Sequence, residues 1–176
     1  MTSDDEAVMN LVLRLALLLL KTYLTPAQPG MTLSTARFRA WPHDLRLRDH
    51  LPNQRFFNFM ELGRFHLLHS RRLALKGLFT HRMIAAQDLV YIKPIGRLQS
   101  FKVTTEIAGW DSKYVYYAHK VFCKESLVAN GLVKEALLKN GTLVSPINIF
   151  GNPPALPETI SRWQACHQAL KQAPAA

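Results

Sequence analysis

The chain is short of acid, of cysteine and of long apolar runs, and each shortage removes a class of protein. Asp and Glu number 12 against 22 Lys and Arg, which leaves a formal charge of +10 with histidine neutral. A field of that sign draws in anions, so the partners to weigh are nucleic acid, anionic lipid or a phosphorylated carrier, beside a solvated basic face with no partner. The imbalance is local: residues 37 to 82 hold nine Arg and one Lys against Asp44, Asp49 and Glu61. The two cysteines, Cys123 and Cys166, have neither metal-ligand spacing nor a secretory framework, so a reducing compartment and two buried or half-buried thiols are expected. The uninterrupted apolar core of the N-terminal run, residues 15 to 20, is too short for a bilayer span, which needs about 20 residues. Its leading residues, MTSDDE, are acidic where a secretory signal is basic. Internal repeats, a Gly-rich phosphate loop and a GxSxG elbow are also missing.

What remains is one well-packed domain, since 176 residues at 48% apolar bury a single core comfortably and two poorly. Residues 7 to 24 read as a helix with a narrow polar stripe of Asn10, Arg14 and Lys21 on an apolar rod. It fits a helix packed on the domain or a neighbouring subunit, an interfacial membrane helix, or a tilted anchor with Arg14 snorkelling. A Pro- and Gly-bearing linker, residues 25 to 32, ends it, and residues 33 to 41 alternate as a strand. From Arg82 onward, residues 82–95, 97–110, 113–123 and 127–140 are rich in Val, Ile, Tyr and Phe and bounded by turns, although 129–138 also fits a helix. A proline-rich crossing then leads to an amphipathic helix over residues 158 to 172, with Ile160, Trp163, His167 and Leu170 on one face. One strand, one long buried helix, then consecutive antiparallel strands predicts an α+β layer architecture.

The chain is organised around DLRLRDHLPNQRFFNFMELGR, residues 44 to 64. Its first residues alternate, with Leu45 and Leu47 opposed to Asp44, Arg46 and Arg48, as at the end of a strand. Asn53 is then the expected N-cap of a helix running to about Ser70, with Phe56, Phe57, Phe59, Met60, Gly63 and Leu67 on its apolar face. Gly63 inside that helix marks a close approach of backbone to sheet. A polar turn carrying Asp44, His50 and Asn53 thus meets a helix N-terminus, where unpaired N–H groups and the dipole favour negative charge or a developing oxyanion.

This stretch resembles the acyl-CoA thioesterase branch of the hot-dog superfamily, the branch of 4-hydroxybenzoyl-CoA thioesterase. That motif runs Asp, x, Asp, x, x, Gly, His, x, Asn, Asn, x, x, Tyr, followed by an acid and an Arg. Asp44, His50, Asn53, Phe56, Glu61 and Arg64 stand at matching positions, while Arg46, Asp49 and Pro52 replace the second Asp, the Gly and the first Asn. The resemblance, including the order of elements, covers about residues 33 to 147. It implies a hot-dog domain over residues 31–150, an antiparallel sheet wrapped around a central helix, preceded by a helix and linker (1–30) and followed by a helix and tail (151–176).

For activity the resemblance implies hydrolysis of a fatty or aromatic acyl-CoA to free acid and coenzyme A, within lipid metabolism. Asp44 would be the catalytic carboxylate, kept ionised by Arg46, Arg48 and His50. His50 would orient it or the thioester, the Leu51 backbone N–H would donate to the oxyanion, and Asn53 would hold the turn or position water. The acyl chain would lie along Phe56, Phe57, Phe59 and Met60 between subunits, which implies a homodimer or homotetramer. Glu61, paired at i+3 with Arg64, is the secondary candidate, because another branch projects its carboxylate from the central helix. The alternative is a weak or inactive hot-dog protein that binds an acyl chain or lipid. Neither cofactor nor metal is expected; His66 and His69 lie three apart without a carboxylate to complete a set. A nucleic-acid binder is disfavoured, because the aromatics sit at buried helical spacing rather than among the arginines of an exposed sheet. The expected location is cytoplasmic or membrane-peripheral, with residues 7–24 as the membrane contact.

Overall fold

Strand-forming residues in alternation build one antiparallel sheet, and the first long amphipathic helix after β1 is laid across it. The computed structural model describes residues 3–28, 30, 32–45, 47–72 and 81–172, with side chains from residue 10 onward. Arg46, and its expected effect on Asp44, lies outside the described residues. The elements are α1 (Ser3–Leu24), β1 (Leu33–Arg39), α2 (Pro42–Leu45), α3 (Asn53–Ser70), β2 (His81–Tyr91), β3 (Ser100–Trp110), β4 (Tyr114–Cys123), β5 (Ser126–Lys139), β6 (Thr142–Val144), α4 (Ile147–Phe150) and α5 (Glu158–Gln172). The strand order is β1-β3-β4-β5-β2, with β6 on the end of β5 and every pairing antiparallel. Residues 129–138, open to either reading in the sequence, are strand, because Tyr114 to Val121 of β4 pair with Ala136 to Ala129 in continuous register. The α+β reading therefore holds.

The inward face of the sheet and α3 share two apolar clusters. Phe56, Phe59 and Leu62 pack with Phe101, Val103 and Val121, while Met60, Leu67 and Leu68 pack with Val115, Tyr117 and Val133. Gly63 is where helix and sheet come closest: a Cβ there would stand 2.3 Å from Thr105 Oγ1, so the expected close approach is present. Between the clusters lies a buried polar network. Arg64 donates to Glu135 at 3.2 Å, Glu135 also takes Arg82 at 3.3 Å, and His119 reaches Thr105 Oγ1 at 3.0 Å. The pairing of Arg64 with Glu61 is thus corrected: Glu61 is exposed, and Arg64 turns inward to β5.

Tyr116 alternates with Val115 and Tyr117 and so faces the opposite side of the sheet, where α5 docks. Its hydroxyl donates to Asp111 and meets Gln164, while Trp163 donates its indole N–H to Asp88. Ile160 is buried as expected, but Leu170 is exposed, lining an open cavity between α5 and the sheet with Ala85, Tyr114 and Lys134.

Three further expectations need correction. Asp44 and Leu45 are not extended: Pro42 opens the single turn α2, Leu45 is buried and Leu47 fully exposed, so Leu45 and Leu47 do not share a face. Pro52 occupies the N-cap of α3 with extended backbone and no side-chain cap, which makes Asn53 the first helical residue. Cys166 is exposed and Cys123 half-buried, both as free thiols.

Candidate active site at the start of the central helix

The sequence places Asp44, His50, Leu51 and Asn53 within ten residues, but the fold sorts them into two environments. Asp44 points inward from α2. Its side chain has 0% exposure, with Oδ2 2.6 Å from Arg14 Nη2 of α1 and Oδ1 2.5 Å from Arg55 Nη2 of α3. The Trp41 backbone N–H also donates to Oδ2 at 2.9 Å. One buried carboxylate therefore ties together the N-terminal helix, the β1–α2 corner and the first turn of the central helix. Burial lowers the Arg14 pKa while Asp44 pulls it the other way. Both carboxylate oxygens are engaged, and nothing from solvent meets them while the two guanidiniums stand.

Arg14 also stacks over the Phe59 ring, 5.0 Å from its centroid. The snorkelling-anchor reading of residues 7–24 is corrected accordingly, since Arg14 turns to the domain and not toward a headgroup layer. Sequence reasoning did not pair Arg14 or Arg55 with Asp44. The available signal was a lone arginine in an aliphatic helix, which needs a buried acid when that helix packs.

His50 and Asn53 face the other way. They line, with Leu51, Phe56 and the β2 end at Tyr91 and Ile92, a groove of about 200 Å³. A polar basin beside it adds Arg48, Pro52 and Gln54. His50 is exposed and bridges Gly96. The Leu51 N–H is not free as an oxyanion donor, because it gives its hydrogen to the Ile95 carbonyl at 2.8 Å. The Arg55 N–H closes back on the Pro52 carbonyl. Asn53 and Gln54 supply the first-turn N–H groups, which in any helix have no carbonyl ahead of them. Tyr91 holds this turn by donating its hydroxyl to the Asn53 carbonyl at 3.1 Å and packing edge-on against Phe56; burial raises its pKa. Tyr91 and Lys93 join the site from the end of β2 and the bend after it, which carry no motif, so only the pairing of the sheet reveals them.

Of the expected acyl-binding residues, Phe56 borders the groove and Phe57 is half-buried, whereas Phe59 and Met60 are sealed in the core. Among the described residues no group of three His, Cys, Asp or Glu is placed to hold a metal, and no helix is long and apolar enough to cross a membrane.

No family model matches the chain. Solved structures do. A probable thioesterase from Bartonella henselae superposes with a TM-score of 0.56 at 16% identity, covering 71% of this chain and 99% of that one. A gentisyl-coenzyme A thioesterase gives 0.57 at 14% identity, over 68% and 100%. The Escherichia coli PaaI protein of the phenylacetic acid degradation operon gives 0.54 at 9%, over 77% and 98%. Likeness at these identities establishes the fold alone: the sheet wrapped around α3 is the hot-dog fold.

Proposed function

We propose that this hot-dog protein hydrolyses an acyl-CoA thioester at the groove that opens on the first turn of α3. The observation that carries the reading is the convergence of His50, Asn53 and the α3 N-terminus on one groove, in a fold shared with enzymes named as thioesterases. The thioester carbonyl oxygen lies toward the first-turn N–H groups of Asn53 and Gln54, where the helix dipole favours the oxyanion. His50 takes a proton from water as the oxygen attacks the carbonyl carbon, and returns it to the sulfur as the C–S bond breaks, leaving acid and free coenzyme A. Phe56 meets the start of the acyl chain, and Arg48 and Lys93 meet coenzyme A phosphates. Asp44 acts as a positioning residue, fixing through Arg55 the turn from which the N–H groups project.

The enzyme works in the cytoplasm as a homodimer, or as a homotetramer built from it. Among the described residues β2 is the last strand on its side of the sheet and exposes Met83, Ile84 and Val90, and its end borders the groove, so a second copy set there would wall the site. A second reading, acyl binding without turnover, is favoured by the enclosure of Asp44 and the engaged Leu51 N–H.

Thiol release from short, medium, long-chain and aromatic acyl-CoAs separates them. His50→Gln is expected to cost about 10²–10⁴ in rate with no change in unfolding temperature. Asp44→Asn is expected to lower both. A rate that survives His50→Gln but vanishes in a fully stable Asp44→Asn protein would return the chemistry to the carboxylate. Saturable acyl-CoA binding with no thiol release would establish the second reading.

A further inference from the structure

Helix α1 is amphipathic in the reverse of the usual sense. Leu11, Leu15 and Leu18 pack on the core and Arg14 reaches Asp44, so its polar group points into the protein. From Val12 to Leu24 the face turned to solvent carries Val12, Leu13, Ala16, Leu17, Leu20, Tyr23 and Leu24, an arc of roughly 140° by helical geometry without a charged side chain. The large ones among them are 56 to 74% exposed. A continuous aliphatic strip of this kind demands a cover.

Charge identifies the cover. Along one rim of the strip, a cleft of about 320 Å³ separates α1 from the free edge of β1, and its lining includes Lys21, Arg37, Arg39 and Arg14 with no acidic residue. Arg14 Nη1 is buried there without a hydrogen-bond partner. Two aromatics lie nearby: Tyr23 in the last turn of α1, stacked by Arg72, and half-exposed Trp41 in the cleft lining, stacked by Arg39. Aliphatic face, cationic rim and amphipathic rings at the boundary are the components of an interfacial membrane helix.

A second copy fits worse. Two copies packed about a dyad through the cleft would bring both sets of Lys21, Arg37 and Arg39 together. Among the acidic residues with described side chains, Asp44 and Glu135 are buried in ion pairs, Asp88 is held by Trp163 and His167, and Asp111 by Tyr116.

We infer that α1 docks this protein flat on an anionic lipid bilayer, its leucines among the acyl chains and the lipid phosphates in the basic cleft beside β1. The surface is separate from the groove at α3, so the inference does not depend on thioester hydrolysis.

The test is co-sedimentation of the full chain with phosphatidylcholine vesicles, with and without phosphatidylglycerol, at low and high salt. Binding is expected to be about tenfold or more tighter on the anionic vesicles and to weaken with salt, as several basic groups near a charged surface dictate. Leu13→Glu/Leu17→Glu, both at exposed positions, is expected to abolish binding, and Lys21→Glu/Arg37→Glu to remove only the preference for anionic lipid. Absence of binding to anionic vesicles at low salt overturns the inference, as does undiminished binding of the leucine variant. If that variant instead changes sedimentation from oligomer to monomer while the parent ignores lipid, the strip is a subunit interface. Thiol release from both variants, in the absence of lipid, is read separately and is expected to match the parent.

Discussion

Replacing Asp44 by Ala tests the central claim that this residue is a tie and not a free nucleophile. The substitution leaves Arg14 and Arg55, whose side chains are 12% and 7% exposed, facing one another without their counter-ion. It also orphans the Trp41 N–H. Breaking a buried ion pair by removing one partner costs about 3–5 kcal/mol, because the charge left behind stays out of water. Against a total stability of roughly 5–15 kcal/mol this is a large share. For a chain of this size each kcal/mol lowers the midpoint by about 2–4 °C, so thermal unfolding should drop by roughly 6–20 °C. Circular dichroism melts of the native protein, Asp44→Ala, Arg14→Met and the double variant form a cycle. The double variant should lose less than the sum of the two singles, since with Met in place of Arg14 only the Arg55 charge is left without its counter-ion. An Asp44→Ala protein that melts with the native one would refute the arrangement outright.

Other outcomes follow from the same packing. Gly63→Ala should destabilise by about 1–3 kcal/mol despite the better helix former, since the new methyl meets Thr105 Oγ1; urea unfolding reads this, and Thr105→Ala in the same chain should restore part of the loss. His119 has its pKa lowered well below the usual value by burial and by Arg64, and burial lowers those of His66 and His69 as well. The unfolded chain gains protons at these histidines as pH falls past about 6.5 while the folded one does not, so stability should fall on acidification by up to about 1.4 kcal/mol per pH unit for each. Melts between about pH 7.5 and 5.5 check the direction, and a slope that His119→Gln leaves unchanged would exclude His119 as a source.

The fold was legible because its signals are repetitive. Alternation marked β3 and β4 to within about three residues, and the spacing of Phe56, Phe59, Met60 and Leu67 marked the buried face of α3. Gly63 announced its close approach by being the wrong residue for a helix interior. The candidate site was legible in position and less so in orientation. Asp44 lies near His50 along the chain, but the turn at Pro42 sends its carboxylate into the interior, and two arginines from 30 residues before and 11 after meet it there. No local pattern encodes a pairing across that distance. Pro52 had the same effect on a smaller scale, since it took the N-cap that Asn53 was expected to hold.

The Arg64–Glu135 pair has a consequence for how the sheet is assembled. β5 carries Lys134, Glu135 and Ala136 in succession, and only Glu135 faces α3. Sliding β5 by one residue against its neighbours would turn every side chain over, putting Lys134 beside buried Arg64 and leaving that guanidinium against a like charge. The apolar residues alone would resist such a slip weakly, because Leu137 and Leu138, or Leu132 and Val133, are near equivalents of one another. The ion pair thus acts as a key that admits one alignment of strand and helix, and the start of α3 is set in place by a contact about three turns further along the same helix.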